Sequence, residues 1–112
     1  MSVDYLKAAQ HVLNLEASAI LAASERMGKK SIDDVMNLFR QLEERKGQLI
    51  FSGVGKSGFI GRKIASTFAS LGLRSFFLHP VEALHGDLGR AKKDDIIVLI
   101  SKSGTTEEIM KL

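Results

Sequence analysis

Three short apolar runs restrict this chain more than any other feature: residues 48–52, 75–78 and 96–100. The first is nearly all apolar, as expected of a strand buried on both faces. The third is the most β-branched stretch in the chain, and β-branched side chains suit a pleated, packed surface. Residues 57–71 have helical periodicity, with Ile60, Ile64, Ala65, Phe68 and Leu71 as the expected core-facing set and Gly72 closing the segment. The second run stops at His79-Pro80, and residues 81–95 read as a long connection. A further helix begins at Glu107. Strand, helix, strand, connection, strand, helix is the grammar of an open parallel α/β sheet. A flavodoxin-like order, 2-1-3, makes the first and third strands neighbours and reverses the topology between them. Ligands of such sheets sit at the carboxyl ends of the strands at that point.

Two helices precede the sheet. In residues 4–26, Leu6, Ala9, Leu13, Ala17, Ile20 and Leu21 recur at three- and four-residue steps, with Gly28 and Lys29-Lys30 ending the pattern. That face is expected to pack on the domain or on a partner subunit. Ser31-Ile32-Asp33-Asp34 resembles a capping box for a helix over residues 32–46, with Ile32, Val35, Leu38, Phe39 and Leu42 as its stripe. Gly47, after Arg45-Lys46, is the expected stop. A doubly wound sheet commonly has five or six strands, so residues 1–112 are expected to be the N-terminal portion of one larger domain.

Composition narrows the function classes. With 45% apolar and 26% charged residues and a single proline, the 112-residue chain is globular in character. It has no cysteine, which removes disulfides, thiolate nucleophiles and Cys-ligated zinc. No apolar run approaches the roughly 20 residues that span a bilayer, and residues 1–10 lack the order of a signal peptide. A cytoplasmic protein without a membrane partner is expected. The net charge of +3 suits an anionic substrate. The basic residues are dispersed among acids, with no Trp and one Tyr, which argues against a nucleic-acid partner.

Two loops carry the chemistry. Gly53-Val54-Gly55-Lys56-Ser57-Gly58 joins the first strand to its helix, an arrangement that offers free backbone N–H groups to an anion. Read as a dinucleotide fingerprint it lacks the acid at the end of the second strand, where Leu78-His79 stand and the next acid is Glu82. Read as a P-loop it lacks the leading glycine, whose place is held by Ile50. At the end of the third strand Ser101, Ser103, Thr105 and Thr106 surround Gly104. An ordinary helix cap needs one hydroxyl; this density suits a phosphate monoester.

Several short motifs stand in one order: Gly53 to Gly58, then Gly61-Arg62-Lys63, Thr67-Phe68-Ala69-Ser70, Ser75-Phe76-Phe77, His79-Pro80, Glu82-Ala83, His85-Gly86-Asp87-Leu88-Gly89 and Ser101-x-Ser103-Gly104. From about Gln48 onward this closely resembles the sugar isomerase (SIS) domain, and within it the arabinose-5-phosphate isomerases of the KdsD/KpsF/GutQ type. The resemblance implies interconversion of ribulose 5-phosphate and arabinose 5-phosphate through an enediol, towards the Kdo sugar of lipopolysaccharide or capsule. It implies a homotetramer working without an organic cofactor.

The roles implied by the resemblance fall on three candidate catalytic residues. Lys56 matches the lysine of GKSG, a cation able to hold negative charge on the phosphate or on an enediolate oxygen. His85 matches the histidine of HGDLG, an acid–base group for ring opening or proton transfer. Glu108 matches the acid of the helix after the serine loop, a base for the proton alpha to the carbonyl, with Glu107 the weaker contender. Gly55, Ser57, Ser101, Ser103, Gly104, Thr105 and Thr106 are the expected substrate and phosphate contacts. No metal is expected: His79, His85 and Asp87 are weak candidates whose spacing fits no standard metal motif. Phe59 stands where the family often has histidine, and Lys102 and Thr105-Thr106 vary a loop often written SNSGES. The later strands, the further Glu and His of the site, and the paired CBS domains of many members are expected beyond Leu112, so this portion alone is expected to be inactive. The alternative is a non-catalytic SIS module that senses a phosphosugar.

Overall fold

The computed structural model describes residues 2–112. They divide into two units, one up to Met36 and one from Asn37 to Leu112. In the first, helix α1 (Tyr5–Arg26) opens on Asp4, whose carboxylate accepts the Lys7 N–H at 3.1 Å. Asp at this position satisfies one of the four orphan donors of the first turn. The helix stops when Met27 turns extended. None of its residues is buried, and Leu6, Leu13, Ile20 and Leu21 are exposed. The apolar face read from the sequence exists, and it is uncovered in this structure.

Helix α2 (Lys29–Glu44) begins earlier than the expected capping box. Ser31 lies inside the helix, and Asp33 and Asp34 reach back to Lys29 and Lys30 in i,i+4 ion pairs. Such exposed pairs contribute a few tenths of a kcal/mol each, enough to bias where a helix starts. Of the expected stripe, Leu42 is buried and Phe39 packs against the core, while Ile32, Val35 and Leu38 are exposed. The stop also differs. Lys46, at φ 55°, takes the left-handed position, and the Gly47 N–H bonds back to the Leu42 carbonyl at 3.0 Å. Gly47 is required for another reason: a Cβ there would lie 2.0 Å from the Asp94 carbonyl oxygen.

The sheet of the second unit contains β1 (Leu49–Gly53), β2 (Ser75–Phe77) and β3 (Ile96–Ile100), all parallel, in the order β2-β1-β3. This is the expected 2-1-3 order. β1 is central and buried at every residue. Its alternation divides the core in two. Leu49 and Phe51 join Leu42 and Ala65 on one face, whereas Ile50 joins Leu78 and Ala83 on the other. Full burial of each of these large apolar side chains contributes roughly 1.5–3 kcal/mol. Phe51 stacks on Phe68 at 5.9 Å, and Phe39 meets Phe68 edge-on at 5.8 Å.

Helix α3 (Lys56–Ser70) covers the Phe51 face through Gly58, Gly61 and Ala65. These positions follow the three- and four-residue helical step but carry almost no side chain. The helix therefore comes so close that a Cβ on Gly61 would lie 3.1 Å from the Phe77 ring. Of the expected core-facing set, Ala65 is buried and Ile64 and Phe68 pack against the core, whereas Ile60 and Leu71 are exposed and Gly58 and Gly61 take up the rest of the contact. Gly72 does close the helix, at φ 92°.

The long connection expected between β2 and β3 has structure of its own. It holds helix α4 (Pro80–Leu84) and a 3-10 turn, Asp87–Arg90. His79 caps α4, its Nδ1 accepting the Val81 N–H at 3.2 Å, and Pro80 is the first helical residue. Proline suits that position because its missing N–H would be an orphan anyway. His79-Pro80 is thus a helix start as much as a strand stop. Helix α5 (Glu107–Met110) follows β3.

Candidate functional site

The site is built at the carboxyl ends of β1 and β3, where register sets Gly53 beside Ile100. The loop after β1 is compressed by contact. A Cβ on Gly58 would lie 2.7 Å from the Gly53 carbonyl oxygen, so the first turn of α3 rests directly on the strand end. Gly55 makes the reversal at φ 60°, ψ −128°, a conformation closed to other residues. It is the N-cap of α3 and brings no capping side chain. The first N–H groups of α3 therefore have no side-chain acceptor from the cap. Lys56 is the first residue of that turn and is exposed; Ser57 is half-buried beside it.

The loop after β3 is held by its own hydroxyls. Ser101 Oγ accepts the Gly104 N–H at 2.9 Å and lies 3.2 Å from Thr106 Oγ1. Ser103 Oγ accepts from the Thr105 N–H and the Thr105 hydroxyl, both at 3.1 Å. Gly104 completes the turn at φ 71°. Thr106 is the N-cap of α5 yet makes no side-chain capping bond. The four hydroxyls shape the loop and do not cap the helix. That favours the ligand reading over the cap reading.

Glu107 and Glu108 are separated by environment. Glu107 is exposed and paired with Lys111 at 2.6 Å. Glu108 is half-buried, and α5 packs against α4. His85 is exposed at the C-terminal end of α4. Among the described residues, the side chains of Lys56, His85 and Glu108 make no hydrogen bond or ion pair with another residue. The structure thus brings Lys56 and the hydroxyl loop to neighbouring strand ends, and His85 and Glu108 to neighbouring helices. Among the described residues, no group of three or more His, Asp or Glu side chains is arranged to hold a metal ion, and His79 is occupied as a cap.

Sequence reasoning passed over two contributors. Ser52 is fully buried inside β1 and donates its hydroxyl to the Leu78 carbonyl, tying the end of β2 to β1 beside the glycine loop. A lone hydroxyl within an apolar strand was its available signal. The second is a groove of about 210 Å³ on the β2 side of the glycine loop, lined by Gly53, Gly55, Gly58, Phe59, Arg62, Phe77 and His79. A larger concavity of about 610 Å³ includes Gln48, Ser75 and Arg90. It lies at the amino ends of β1 and β2, away from both loops.

Residues 41–112 match the family described as SIS domain. The chain belongs to the SIS domain family. Over 111 residues it is 42% identical to the arabinose 5-phosphate isomerase KdsD of Pseudomonas aeruginosa, covering 99% of this chain and 33% of that protein. It is also 42% identical to the arabinose 5-phosphate isomerase GutQ of Escherichia coli over 109 residues, covering 97% and 33%. Among solved structures, an Escherichia coli CFT073 protein in complex with arabinose 5-phosphate is 44% identical with a TM-score of 0.74, covering 94% of this chain and 56% of that one. A crystal structure from Bacteroides fragilis is 41% identical with a TM-score of 0.87, covering 96% and 55%. This SIS domain chain therefore spans about a third of the length of the curated relatives it matches. Among its described residues, no helix is long and apolar enough to cross a membrane.

Proposed function

We propose that this chain carries the N-terminal part of an arabinose 5-phosphate isomerase, an enzyme interconverting D-arabinose 5-phosphate and D-ribulose 5-phosphate. The observation that carries this reading is the pairing of two loops at adjacent strand ends. One is rich in hydroxyls that cap no helix; the other presents a cation on an uncapped helix start. The likeness to relatives named for this activity, and to a structure solved with arabinose 5-phosphate, supports it.

In this mechanism the loop of Ser101, Ser103, Gly104, Thr105 and Thr106 exchanges its internal hydrogen bonds for the phosphate oxygens. Gly55 and Ser57 add contacts from the other side. Glu108 removes the proton from C2 of the open-chain aldose and returns it to C1. Between these steps the electron pair rests on O1 as an enediolate, which the Lys56 ammonium stabilises. His85 opens the sugar ring and moves the hydroxyl proton between O2 and O1. Glu108 is the better base because Glu107 is held by Lys111. Neither a metal nor an organic cofactor takes part in this scheme.

We place the activity in the whole SIS domain, as a cytoplasmic homotetramer feeding synthesis of the Kdo sugar of lipopolysaccharide or capsule. Residues 1–112 alone are expected to be inactive: Ile97 and Leu99 of β3 are 39% and 45% exposed, leaving one face of the site-bearing sheet uncovered. The test is conversion of arabinose 5-phosphate to ribulose 5-phosphate by the protein that carries this chain, beside its Lys56→Ala variant. Loss of one stabiliser of developing charge lowers turnover by about 10²–10³-fold. Saturable binding of arabinose 5-phosphate with no isomerisation would replace the enzyme with a phosphosugar-sensing module.

A further inference from the structure

Of the residues lining the groove beside the glycine loop, this mechanism uses Gly55 alone, and the chemistry of the remaining side chains is one-sided. Arg62 lies over the Phe77 ring, its guanidinium carbon 4.4 Å from the ring centroid. That stacking holds the planar fork in one orientation while leaving its N–H edges free. His79 meets the same ring edge-on at 6.3 Å. Because its Nδ1 accepts the Val81 N–H, the neutral ring carries its proton on Nε2, which is then a donor. The floor is formed by Gly53, Gly55 and Gly58, and Phe59 stands at the rim, largely exposed. None of the lining residues is acidic. A fixed guanidinium, an imidazole donor and a glycine floor form a cradle of donors with no competing carboxylate.

Size narrows the occupant. About 210 Å³ corresponds to roughly seven water molecules at about 30 Å³ each, below the ~300 Å³ at which pockets for drug-sized ligands begin. We propose that this groove is an anion subsite, separate from the hydroxyl loop, in which Arg62 and His79 hold a small oxyanion or the anionic end of a larger ligand. Phosphate and carboxylate share the required chemistry, since each presents paired oxygens to the guanidinium fork. The glycine loop is the common wall between this subsite and Lys56.

Nitrogen-detected and amide NMR of the full chain tests the proposal, with titrations of inorganic phosphate and, separately, of acetate. Saturable shifts of the Arg62 Nε–H and His79 Nε2 signals are expected with at least one of the two, and the responding anion identifies the group preferred. In Arg62→Gln the affinity at His79 should fall at least tenfold, while Arg62→Lys, which keeps the charge but loses the fork, should fall between the two. Ser103→Ala should leave the groove signals responding as before. Unchanged Phe51 and Phe68 ring signals in the variants show that the fold is retained, as expected on replacing the exposed Arg62. The proposal is overturned if neither anion shifts Arg62 or His79, if Arg62→Gln binds as tightly as wild type, or if Ser103→Ala abolishes the response. None of these results bears on whether arabinose 5-phosphate is isomerised, so the subsite and the proposed activity fail independently.

Discussion

Gly58→Ala is the substitution whose effect follows most directly from the structure. The added Cβ would lie 2.7 Å from the Gly53 carbonyl oxygen, 3.3 Å from its carbon and 3.4 Å from Phe77 Cζ. Ordinary van der Waals contact begins near 3.4 Å, and the nearest offending atoms belong to backbone. No rotamer change relieves that clash, so the first turn of α3 must lift from the end of β1. Overpacking of this kind costs about 1–3 kcal/mol. With a urea m-value of about 1–3 kcal/mol per M for a small domain, a 2 kcal/mol loss moves the midpoint by roughly 1 M. Gly89→Ala is the control, because a Cβ there meets nothing within 4 Å, and it should stay within about 0.5 kcal/mol of wild type. Turnover should suffer more than stability, since the lifted turn carries Lys56. A displacement of about 1 Å can cost on the order of 10²-fold in rate. Equal urea midpoints for Gly58→Ala and wild type, at unchanged m-value, would refute the close approach of α3 to Gly53.

Three further outcomes are expected. Gly55→Ala and Gly55→Asn should each cost about 1–3 kcal/mol in urea denaturation, because φ 60° with ψ −128° lies outside the left-handed well that asparagine tolerates; a clear advantage for asparagine would contradict that backbone. Lys46→Gly should stabilise the chain by up to about 1 kcal/mol, the left-handed penalty being partly offset by glycine's greater unfolded-state entropy; thermal unfolding would show a lower midpoint if Lys46 were not at positive φ. Ser52→Ala should cost about 1–3 kcal/mol by leaving the Leu78 carbonyl without its donor; a loss no larger than that of the exposed Ser66→Ala would show that this bond contributes little.

The sheet is legible in the residue pattern because β1 and β3 announce themselves by unbroken apolar runs, and parallel strands buried by helices need little else to be recognised. Crossover handedness allows more than one strand order; the 2-1-3 order is read from the flavodoxin-like pattern and is the order the structure shows. The glycine and hydroxyl loops are legible as well, since few other uses concentrate three glycines with a lysine, or four hydroxyls in six residues. Those are local signals, written in residue type and spacing.

What tertiary structure decided is which atoms approach one another. The face that α3 presents to the sheet is made of Gly58, Gly61 and Ala65; Ala65 shows in the hydrophobic pattern, but the two glycines have no side chain to leave a mark in it. Helix α2 starts ahead of Ser31, with Lys29 and Lys30 paired to Asp33 and Asp34; such exposed pairs contribute tenths of a kcal/mol, a balance that residue types alone do not resolve. Arg62, Phe77 and His79 come from a helix, a strand and the turn after it, and only packing sets them around one groove. Sequence by itself determined the layers and the two chemical loops, because both rest on local backbone preference and burial. The close contacts that aim Lys56, and the groove behind it, arose only when α3 closed onto β1 and β2.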